Sequence, residues 1–299
     1  MEKRKFGKTD MEFSVLGFGG AEIGYNPNQT QEDVNDLLNS ALDAGLNVID
    51  TAAAYKTSEK LIGEAVGKRR SDYYLLTKCG ALDAFTRFDW TKKGILETIE
   101  TSLRNLRTDH LDLAQLHSCD SETLNRGEAI EALQRAQEKG YTRYIGYSGD
   151  NEDARTAIEL DVFDSLQTSL SIADQSSISG NIPFAAGKSL GIIAKRPIAN
   201  AVWRSKEKPA DSYHYEYWDR IQKLKFDFLN DPLEESIPAA LRFTLSVPGV
   251  TTAIVGTTKP DRWQQNADHV RQGPLSKEEF DAIRERWAEI AGEDWMGEV

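Results

Sequence analysis

Four side chains that could move a proton or hold a charge lie at the ends of three successive strand-like runs. Asp50 and Tyr55 occur in NVIDTAAAY, Lys78 occurs in YYLLTKC, and His117 occurs in DLAQLHS. A carboxylate on an apolar strand is costly to bury without a partner, and Lys78 is a natural counter-ion for Asp50. A tyrosine just past a strand end is well placed to touch a ligand. These four residues therefore suggest one constructed site.

The elements that must position these residues are short β-like runs alternating with longer helical runs. After an opening hairpin, eight such units run from SVLGFGG to TTAIVGTT, and SKEEFDAIRERWAEI adds a further amphipathic helix. The pattern predicts a single domain over residues 1–299, a parallel (β/α)₈ TIM barrel with long loops at the C-terminal face. Active sites in that fold lie at the C-terminal ends of the strands, which brings the strand-end residues together.

Local signals fix some of the helix boundaries. Thr30 is the expected N-cap of the first long helix, with Asp33 three residues later and Gly45 just past the end. A helix is also expected across residues 125–140, and a less regular one is expected between Asp174 and Lys188. These elements connect the strands that would carry the site.

Composition restricts the partners that such a site can have. The 299 residues carry a net charge of -12, which argues against nucleic acid or an anionic membrane as the main partner. Two cysteines beside the proposed site residues suit a reducing compartment, and the dispersed histidines offer no convincing metal cluster. No apolar run approaches the roughly 20 residues needed to span a bilayer. We expect a cytoplasmic protein that acts on a small molecule.

The same residues carry a resemblance to a known family. In order and spacing, Asp50, Tyr55, Lys78 and His117 look like the catalytic tetrad of the aldo-keto reductase superfamily. The similarity covers nearly the whole chain, including SLRNLRTDHLDLAQLHS and GTTKPDRWQQNADHV. It implies reduction of an aldehyde or ketone to an alcohol, or the reverse oxidation of a sugar or alcohol, with a nicotinamide cofactor.

The implied chemistry requires these residue types. Hydride reaches the carbonyl carbon while an acid protonates the oxygen, and Tyr55 is the expected acid. An unperturbed phenol has a pKa of about 10, and a nearby cation such as Lys78 favours its ionised form. Asp50 would hold Lys78 charged and oriented. His117 would hydrogen-bond the substrate carbonyl or share in the proton relay.

The resemblance also implies where the cofactor binds. Ser148 and Gln167 match contacts to the nicotinamide carboxamide, although Gly149 replaces the usual asparagine after the serine. Gly20 and Ala21 resemble the backbone that approaches the nicotinamide end. At the seventh strand, Lys195 and Arg196 replace the usual tyrosine and serine. Arg196 could meet the pyrophosphate, or both cations could only pair with acids in nearby loops.

The eighth strand leads into the expected phosphate and adenosine contacts. Gly256 and Thr257 begin a phosphate-binding turn, before a helix whose N-terminus favours anions. By resemblance, Arg262 would reach the 2′-phosphate or stack on adenine. Gln265 and Asn266 match the polar pair near the adenine. Together, these residues after the eighth strand favour NADPH over NADH as the cofactor.

Two loops rich in aromatic residues are expected to wall the substrate pocket. The first, Gly80 to Trp90, carries Phe85, Phe88 and Trp90; the second, Asn200 to Asp231, carries Trp203. The alternative is that these aromatic side chains only anchor long loops.

Other interpretations of the tetrad and its neighbours stay open at this point. Tyr55 alone could be a loop anchor, Asp50 and Lys78 a structural ion pair, and His117 a core histidine. The chain could also be a non-catalytic NADPH-binding sensor or regulatory subunit, or a barrel hydrolase or lyase that uses carboxylates. A second tyrosine, Tyr74, has the Tyr-x-x-x-Lys spacing of another reductase family. That motif requires a helix, and on a strand it separates the two side chains by roughly 13 Å.

Overall fold

Eight parallel strands close into a barrel in the computed structural model, which describes residues 1–210 and 212–298. The strands are β1 (Lys3–Lys5), β2 (Glu12–Ser14), β3 (Leu16–Gly19), β4 (Val48–Asp50), β5 (Tyr74–Cys79), β6 (Ala81–Leu82), β7 (Arg87–Phe88), β8 (Leu111–His117), β9 (Thr142–Ser148), β10 (Ser165–Ser169), β11 (Gly191–Lys195) and β12 (Val250–Gly256). The barrel order is β3-β4-β5-β8-β9-β10-β11-β12, and β12 pairs with β3. The predicted (β/α)₈ architecture is confirmed.

Helices follow the barrel strands and cover their outer face. They are α1 (Ala21–Tyr25), α2 (Gln31–Asp43), α3 (Ser58–Val66), α4 (Lys92–Leu106), α5 (Ser121–Arg126), α6 (Glu128–Glu138), α7 (Asn151–Glu159), α8 (Ser176–Ser179), α9 (Asn181–Gly187), α10 (Tyr215–Leu224), α11 (Leu233–Ser246), α12 (Pro260–Val270) and α13 (Lys277–Ile290). Short 3₁₀ segments lie at Gly67–Asp72, Asp83–Phe85, Ala199–Arg204, Ser212–His214 and Asp227–Asn230. Among the described residues, no helix is long and apolar enough to cross a membrane.

Two helices begin where the sequence predicts them. Thr30 and Asp33 form a reciprocal capping box at the start of α2, which satisfies two backbone N–H groups that have no partner inside the helix. Pro260 occupies the first turn of α12, where its missing N–H costs nothing. The predicted boundaries of these two helices are confirmed.

Two predicted helices are interrupted. The helix expected over residues 125–140 is divided between α5 and α6, because Gly127 adopts φ +80°, which an α-helix does not allow. The helix expected between Asp174 and Lys188 is also two short helices, α8 and α9, separated at Gly180.

The opening hairpin closes one end of the barrel. β1 and β2 are antiparallel, as predicted, and the turn between them places Gly7 at φ +54°. A Cβ on Gly7 would lie 2.3 Å from the backbone nitrogen of Gly191, so only glycine allows this close approach. Phe6 and Phe13 stack with ring centroids 4.1 Å apart and are fully buried.

Strand periodicity divides the barrel interior into two tiers. The lower tier is apolar and packs on the hairpin; it comprises Val48, Leu76, Leu113, Ile193 and Ile254. Because successive strand residues alternate between faces, the next inward position lies two residues further along each strand. On β4, β5, β8 and β11 the side chain at that position is polar, and we call these four residues, together with Gln167 on β10, the upper tier: Asp50, Lys78, Gln115, Gln167 and Lys195. The upper tier lies at the C-terminal ends of the strands, which we call the mouth.

Candidate active site

A buried ion pair forms the base of the mouth. The Lys78 ammonium donates to Asp50 Oδ2 at 2.6 Å and to the backbone carbonyl of Thr51 at 2.9 Å. The Lys78 and Asp50 side chains are only 1% and 4% exposed. Burial lowers the pKa of Lys78, and the charge and hydrogen bond of Asp50 oppose that change. Neither charge would be tolerated here without the other.

Tyr55 and His117 lie against this pair. Lys78 Nζ is 5.2 Å from the centroid of the Tyr55 ring, and the Tyr55 and His117 rings meet edge to face at 5.6 Å. Tyr55 reaches the mouth because the turn after β4 is closed by a hydrogen bond from its own N–H to the carbonyl of Ala52. The structure therefore brings all four predicted tetrad residues together.

The pKa of Tyr55 moves in the direction opposite to the one expected from a neighbouring cation. Burial is the largest cause of a raised pKa, and the negative charge of Asp50 adds to it. Arg196 acts the other way but does not overcome them. In this site the phenol therefore keeps its proton at neutral pH and is available as a donor.

His117 is a neutral imidazole in this environment. Its pKa lies well below the ordinary value of 6.5, because burial disfavours the charged form and Lys78 and Lys195 add positive charge nearby. His117 is 5% exposed, and no described residue hydrogen-bonds its Nδ1 atom. A neutral imidazole can hydrogen-bond a substrate oxygen without bringing a positive charge.

Gln115 also lies in the upper tier, although the sequence did not predict it as a site residue. Its Nε2 donates to Gln167 Oε1 at 3.0 Å and approaches Asp50 Oδ1 at 3.5 Å. Gln167 Nε2 in turn donates to Asp50 Oδ2 at 3.2 Å. The available signal was strand alternation, since Gln115 shares the inward face of β8 with Leu113 and His117.

The two cations at the end of β11 already have partners within the chain. Lys195 Nζ lies 2.8 Å from Asp150 Oδ2, and Asp150 also accepts from the backbone N–H of Ser169 at 2.6 Å. Burial opposes ionisation of Asp150, but Lys195, the Ser169 N–H and Arg196 together lower the pKa of that carboxyl. Lys195 therefore pairs with an acid in a nearby loop, which was one of the alternatives that the sequence allowed.

Arg196 lies in a different set of contacts. It donates to Tyr213 Oη at 2.8 Å, to Ser169 Oγ at 2.9 Å and to the backbone carbonyl of Glu298. Asn151 holds the neighbouring Gly297 through both its amide nitrogen and its amide oxygen. Sequence reasoning did not anticipate that residues 297–298 would lie across the ends of these strands.

The predicted nicotinamide contacts surround the ion pair. Ser148 ends β9, and its buried Oγ atom has no hydrogen-bond partner among the residues described. The backbone N–H of Gly20 donates to the carbonyl of Asp50 at 2.8 Å, and Ala21 begins α1. A Cβ on Gly20 would lie 2.5 Å from Ser58 Oγ, so the backbone is close to the α3 start only because this residue is glycine.

The predicted phosphate and adenosine residues follow β12. Gly256 ends the strand, and Thr257 Oγ1 accepts the backbone N–H of Lys259 at 3.1 Å. α12 then carries Arg262 half-buried, Gln265 exposed and Asn266 buried. The structure places this set on one loop and the first two turns of one helix.

Three of the four predicted pocket aromatics lie in the loop after β5, and one of them, Phe85, contacts the tetrad. Phe85 lies 4.7 Å from the His117 ring and 6.4 Å from the Tyr55 ring. It follows Asp83 and Ala84 in three consecutive left-handed conformations, with φ between +47° and +66°. Such backbone is costly for residues other than glycine and clusters at functional sites.

The remaining pocket aromatics lie further from the tetrad or pack inward. Phe88 stacks on Trp90 at 6.1 Å, and Trp90 packs so closely on Gly80 that a Cβ there would lie 1.8 Å from its ring. Trp203 donates its indole N–H to Ser236 Oγ at 3.1 Å and packs into a second apolar cluster beneath the long loop. Trp203 thus has the anchoring contacts that the alternative interpretation predicted.

A parallel eight-stranded barrel with a buried Lys–Asp pair, a tyrosine and a histidine at its mouth is the arrangement of a barrel enzyme with its polar groups at the C-terminal strand ends. The profile of the Aldo/keto reductase family matches residues 15–288. The chain belongs to this family, which confirms the resemblance and makes it a member of a family of oxidoreductases.

Individual relatives agree with that assignment over nearly the whole chain. An uncharacterized oxidoreductase, YqkF, of Bacillus subtilis is 27% identical, with 95% of this chain and 96% of that protein covered. L-galactose dehydrogenase of Arabidopsis thaliana is 24% identical, with 91% and 89% covered. Among solved structures, the holo form of the aldo-keto reductase AKR11C1 from Bacillus halodurans has a TM-score of 0.85 and 26% identity, with 98% and 99% covered.

Proposed function

We propose that this protein reduces an aldehyde or ketone to an alcohol with NADPH, or runs the reverse oxidation, and that Tyr55 is the general acid or base. The observation that carries the proposal is the arrangement of Tyr55 and a neutral His117 directly above the buried Lys78–Asp50 pair. Carbonyl reduction needs a proton donor and a hydrogen-bond donor to the same oxygen. Tyr55 and His117 supply both at one place.

The mouth fits a nicotinamide group. Ser148 Oγ is a buried hydroxyl that lacks a partner among residues 1–210 and 212–298, and a carboxamide would satisfy it. Gln167, Gly20 and Ala21 lie around the same strand ends and would hold the ring. When bound, the nicotinamide supplies or accepts the hydride.

Each tetrad residue has a distinct task in this mechanism. Tyr55 gives its proton to the carbonyl oxygen as negative charge develops there. Lys78 stabilises the phenolate that remains, and Asp50 keeps the Lys78 ammonium charged and oriented. His117 donates a hydrogen bond to the substrate oxygen and fixes its position. The raised pKa of Tyr55 before substrate and cofactor bind keeps the donor protonated until it is needed.

The cofactor preference rests on residues beyond β12. Arg262 and Lys259 bring two positive charges to the first turn of α12, whose N-terminus itself favours an anion. A 2′-phosphate, present in NADPH and absent from NADH, suits that arrangement. Arg196 would approach the pyrophosphate only after giving up its contact with the Glu298 carbonyl.

The substrate side of the mouth is apolar. Four exposed aromatic side chains lie at this end of the barrel: Tyr25 at the end of α1, Phe85 and Phe88 in the loop after β5, and Tyr213 in a 3₁₀ segment. Such rings would bind the carbon skeleton of a carbonyl compound. The name of the Arabidopsis relative supports testing sugar oxidation as the reverse reaction.

The test is consumption of NADPH with para-nitrobenzaldehyde, with NADH as a parallel donor. Tyr55→Phe should lower kcat/KM by roughly 10²- to 10⁴-fold while NADPH binding persists. Tyr74→Phe is the matched control, because Tyr74 lies at the closed end of the barrel, where its hydroxyl accepts the N–H of Glu12. The control should keep native activity.

Other outcomes would contradict this proposal or favour a different function. Equal rates for the native protein and Tyr55→Phe would overturn the role of Tyr55. Tight NADPH binding without turnover on aldehydes, ketones or sugars would favour a sensor or regulatory subunit. Turnover that does not depend on nucleotide would exclude hydride transfer.

A further inference from the structure

The upper tier contains a neutral amide that the proposed mechanism does not use. Gln115 is completely buried inside the barrel, on the same inward face of β8 as Leu113 in the apolar tier below. An amide in a barrel interior costs free energy unless it is hydrogen-bonded. Gln115 therefore needs an explanation in terms of its partners.

The donors and acceptors around Gln115 fit together in only one direction. Asp50 as a carboxylate can only accept, so Gln167 must turn its Nε2 toward Asp50, at 3.2 Å. That leaves Gln167 Oε1 for Gln115, whose Nε2 donates to it at 3.0 Å. The Asp50 carboxylate thus decides which way the Gln167 amide faces, and the hydrogen bond from Gln115 holds that amide in place.

The chain of contacts ends at the ion pair beneath Tyr55. Asp50 Oδ2 accepts from both Gln167 and Lys78, and its other oxygen lies 3.5 Å from Gln115. The direction of this carboxylate sets where the Lys78 ammonium lies relative to the Tyr55 ring. A shift of Gln115 or Gln167 would therefore move the Asp50 carboxylate, and the Lys78 ammonium would move with it.

The neighbouring strand leaves room for Gln115. Gly146 on β9 is in register with Gln115, and a Cβ there would lie 3.2 Å from Gln115 Cγ and 2.1 Å from Ser165 Oγ. Gln115 Oε1 also remains without a hydrogen-bond partner in the described part of the chain. An apolar side chain would avoid that cost, so the contacts made by Nε2 are the reason for an amide here.

We propose that Gln115 is a positioning residue for the reaction: through Gln167 it orients Asp50, and through Asp50 it sets the position of Lys78 under Tyr55. The inference deepens the proposed function and rests on it for the consequence in catalysis. The geometric part stands on the nucleotide-free protein alone, which allows the two to be tested separately.

The first test compares Gln115→Met with Ser165→Ala. Methionine keeps the length of the side chain but cannot donate, whereas Ser165→Ala alters the same notch beside Gly146 without touching the amide chain. Gln115→Met should lower kcat roughly 10- to 100-fold, with a smaller change in KM for the aldehyde. Ser165→Ala should keep native kinetics.

A second readout needs neither cofactor nor turnover. Lys78 helps to hold the pKa of His117 down, so displacing the ammonium should raise the pKa of the imidazole. NMR titration of His117 in nucleotide-free Gln115→Met should show that rise, and Ser165→Ala should titrate like the native protein. If the native protein turns over no carbonyl compound, the proposed function fails, yet this titration still decides the role of Gln115.

A double variant tests whether Gln115 acts through Gln167. The double variant Gln115→Met/Gln167→Met should be no slower than Gln167→Met alone, whereas independent roles would multiply the two losses. If Gln115→Met does not fold, Gln115→Asn serves in its place, because it keeps the amide but is one methylene too short. A folded Gln115 variant with native kcat and a native His117 titration would overturn the proposal. A variant that loses only stability, with kcat and the titration unchanged, would overturn it as well.

Discussion

Two aspartates of equal burial occupy opposite ends of the barrel. Asp50 at the mouth and Asp112 at the closed end are each 3% exposed, and each is paired with a cation. Asp112 accepts from Arg70 at 2.7 Å, from Arg143 at 2.8 Å and from the backbone N–H of Leu75 at 2.8 Å. Burial and ion pairing alone therefore do not distinguish a functional carboxylate from a structural one.

The neighbours of the two carboxylates show the difference. The arginines around Asp112 reach solvent, with side chains 17% and 36% exposed. The partner of Asp50 is sealed inside the barrel, and beside it lies a histidine with a lowered pKa. A raised tyrosine pKa is common to both ends, since burial raises the pKa of Tyr55 at the mouth and of Tyr73 near Asp112. Functional sites are where burial and charge are arranged to shift pKa values, and the sealed ion pair beside a neutral histidine supports the proposal that the chemistry takes place at the mouth.

The largest expected difference between the two ends is in the rate of reaction. Asp50→Asn would leave Lys78 without its counter-ion in a buried site, and the ammonium would lose its charge or its position. We expect kcat/KM to fall roughly 10²- to 10⁴-fold. Asp112→Asn should keep native kcat per folded molecule and lower the free energy of unfolding by about 1–3 kcal/mol.

Steady-state kinetics and urea unfolding of both variants would measure this contrast. A loss of kcat in Asp112→Asn at full folding would show that the two ends are coupled. Native activity in Asp50→Asn would remove the carboxylate from the mechanism.

Substitutions at the closed end should change mainly the free energy of unfolding and not the rate of reaction. Phe13 is fully buried and stacks on Phe6, so Phe13→Ala should lower the free energy of unfolding by about 3–5 kcal/mol. Activity below the unfolding transition should stay native, since the hairpin is a tier away from the tetrad. Thermal unfolding and kcat measured on the same preparation would test this, and a selective loss of kcat would contradict it.

The histidines at the two ends of β8 provide a pH test. His117 has a lowered pKa in the folded protein, so between its ordinary value of 6.5 and that lower value the unfolded chain binds the additional proton. The stabilisation is complete above pH 6.5 and is lost as the pH falls toward the folded pKa. The slope from this one group is at most about 1.36 kcal/mol per pH unit.

His117→Gln should remove that part of the pH dependence. His110→Gln is the control, because His110 precedes the same strand at its other end and its side chain is 41% exposed. Urea unfolding from pH 7 to pH 5 would compare the three proteins. An unchanged slope in His117→Gln would show that the imidazole binds its proton at the same pH in the folded and the unfolded chain.

The smallest expected effect concerns backbone conformation at the mouth. The hairpin turn at the closed end uses glycine at φ +54°, whereas the mouth loop places Ala84 at φ +55°. Ala84→Gly should raise the free energy of unfolding by about 0.5–1 kcal/mol, after the entropy of the more flexible unfolded chain is subtracted.

Ala282→Gly, at an exposed position of α13, should have the opposite sign and cost about 1 kcal/mol. Thermal unfolding of both variants would compare them. Destabilisation by Ala84→Gly would mean that the left-handed turn carries no strain.

Local patterns in the sequence determined the framework of this protein. Strand and helix periodicities predicted the eight units, and caps such as Thr30 with Asp33 predicted where helices begin. The rule that strand ends meet in a barrel predicted that Asp50, Lys78 and His117 would converge. These signals are available to sequence reasoning because each depends on residues close together in the chain or on a repeated unit.

Only the tertiary structure decided how the upper tier is connected. Gln115 and Gln167 are 52 positions apart, and Lys195 at the end of β11 pairs with Asp150 in the loop after β9, two strands away. The rise in the pKa of Tyr55 likewise depends on burial. Burial results from contacts with many elements of the fold, so it cannot be inferred from neighbouring residues in the sequence. The sequence predicts residue types and periodicity, but strand register and packing decide which buried donor meets which acceptor.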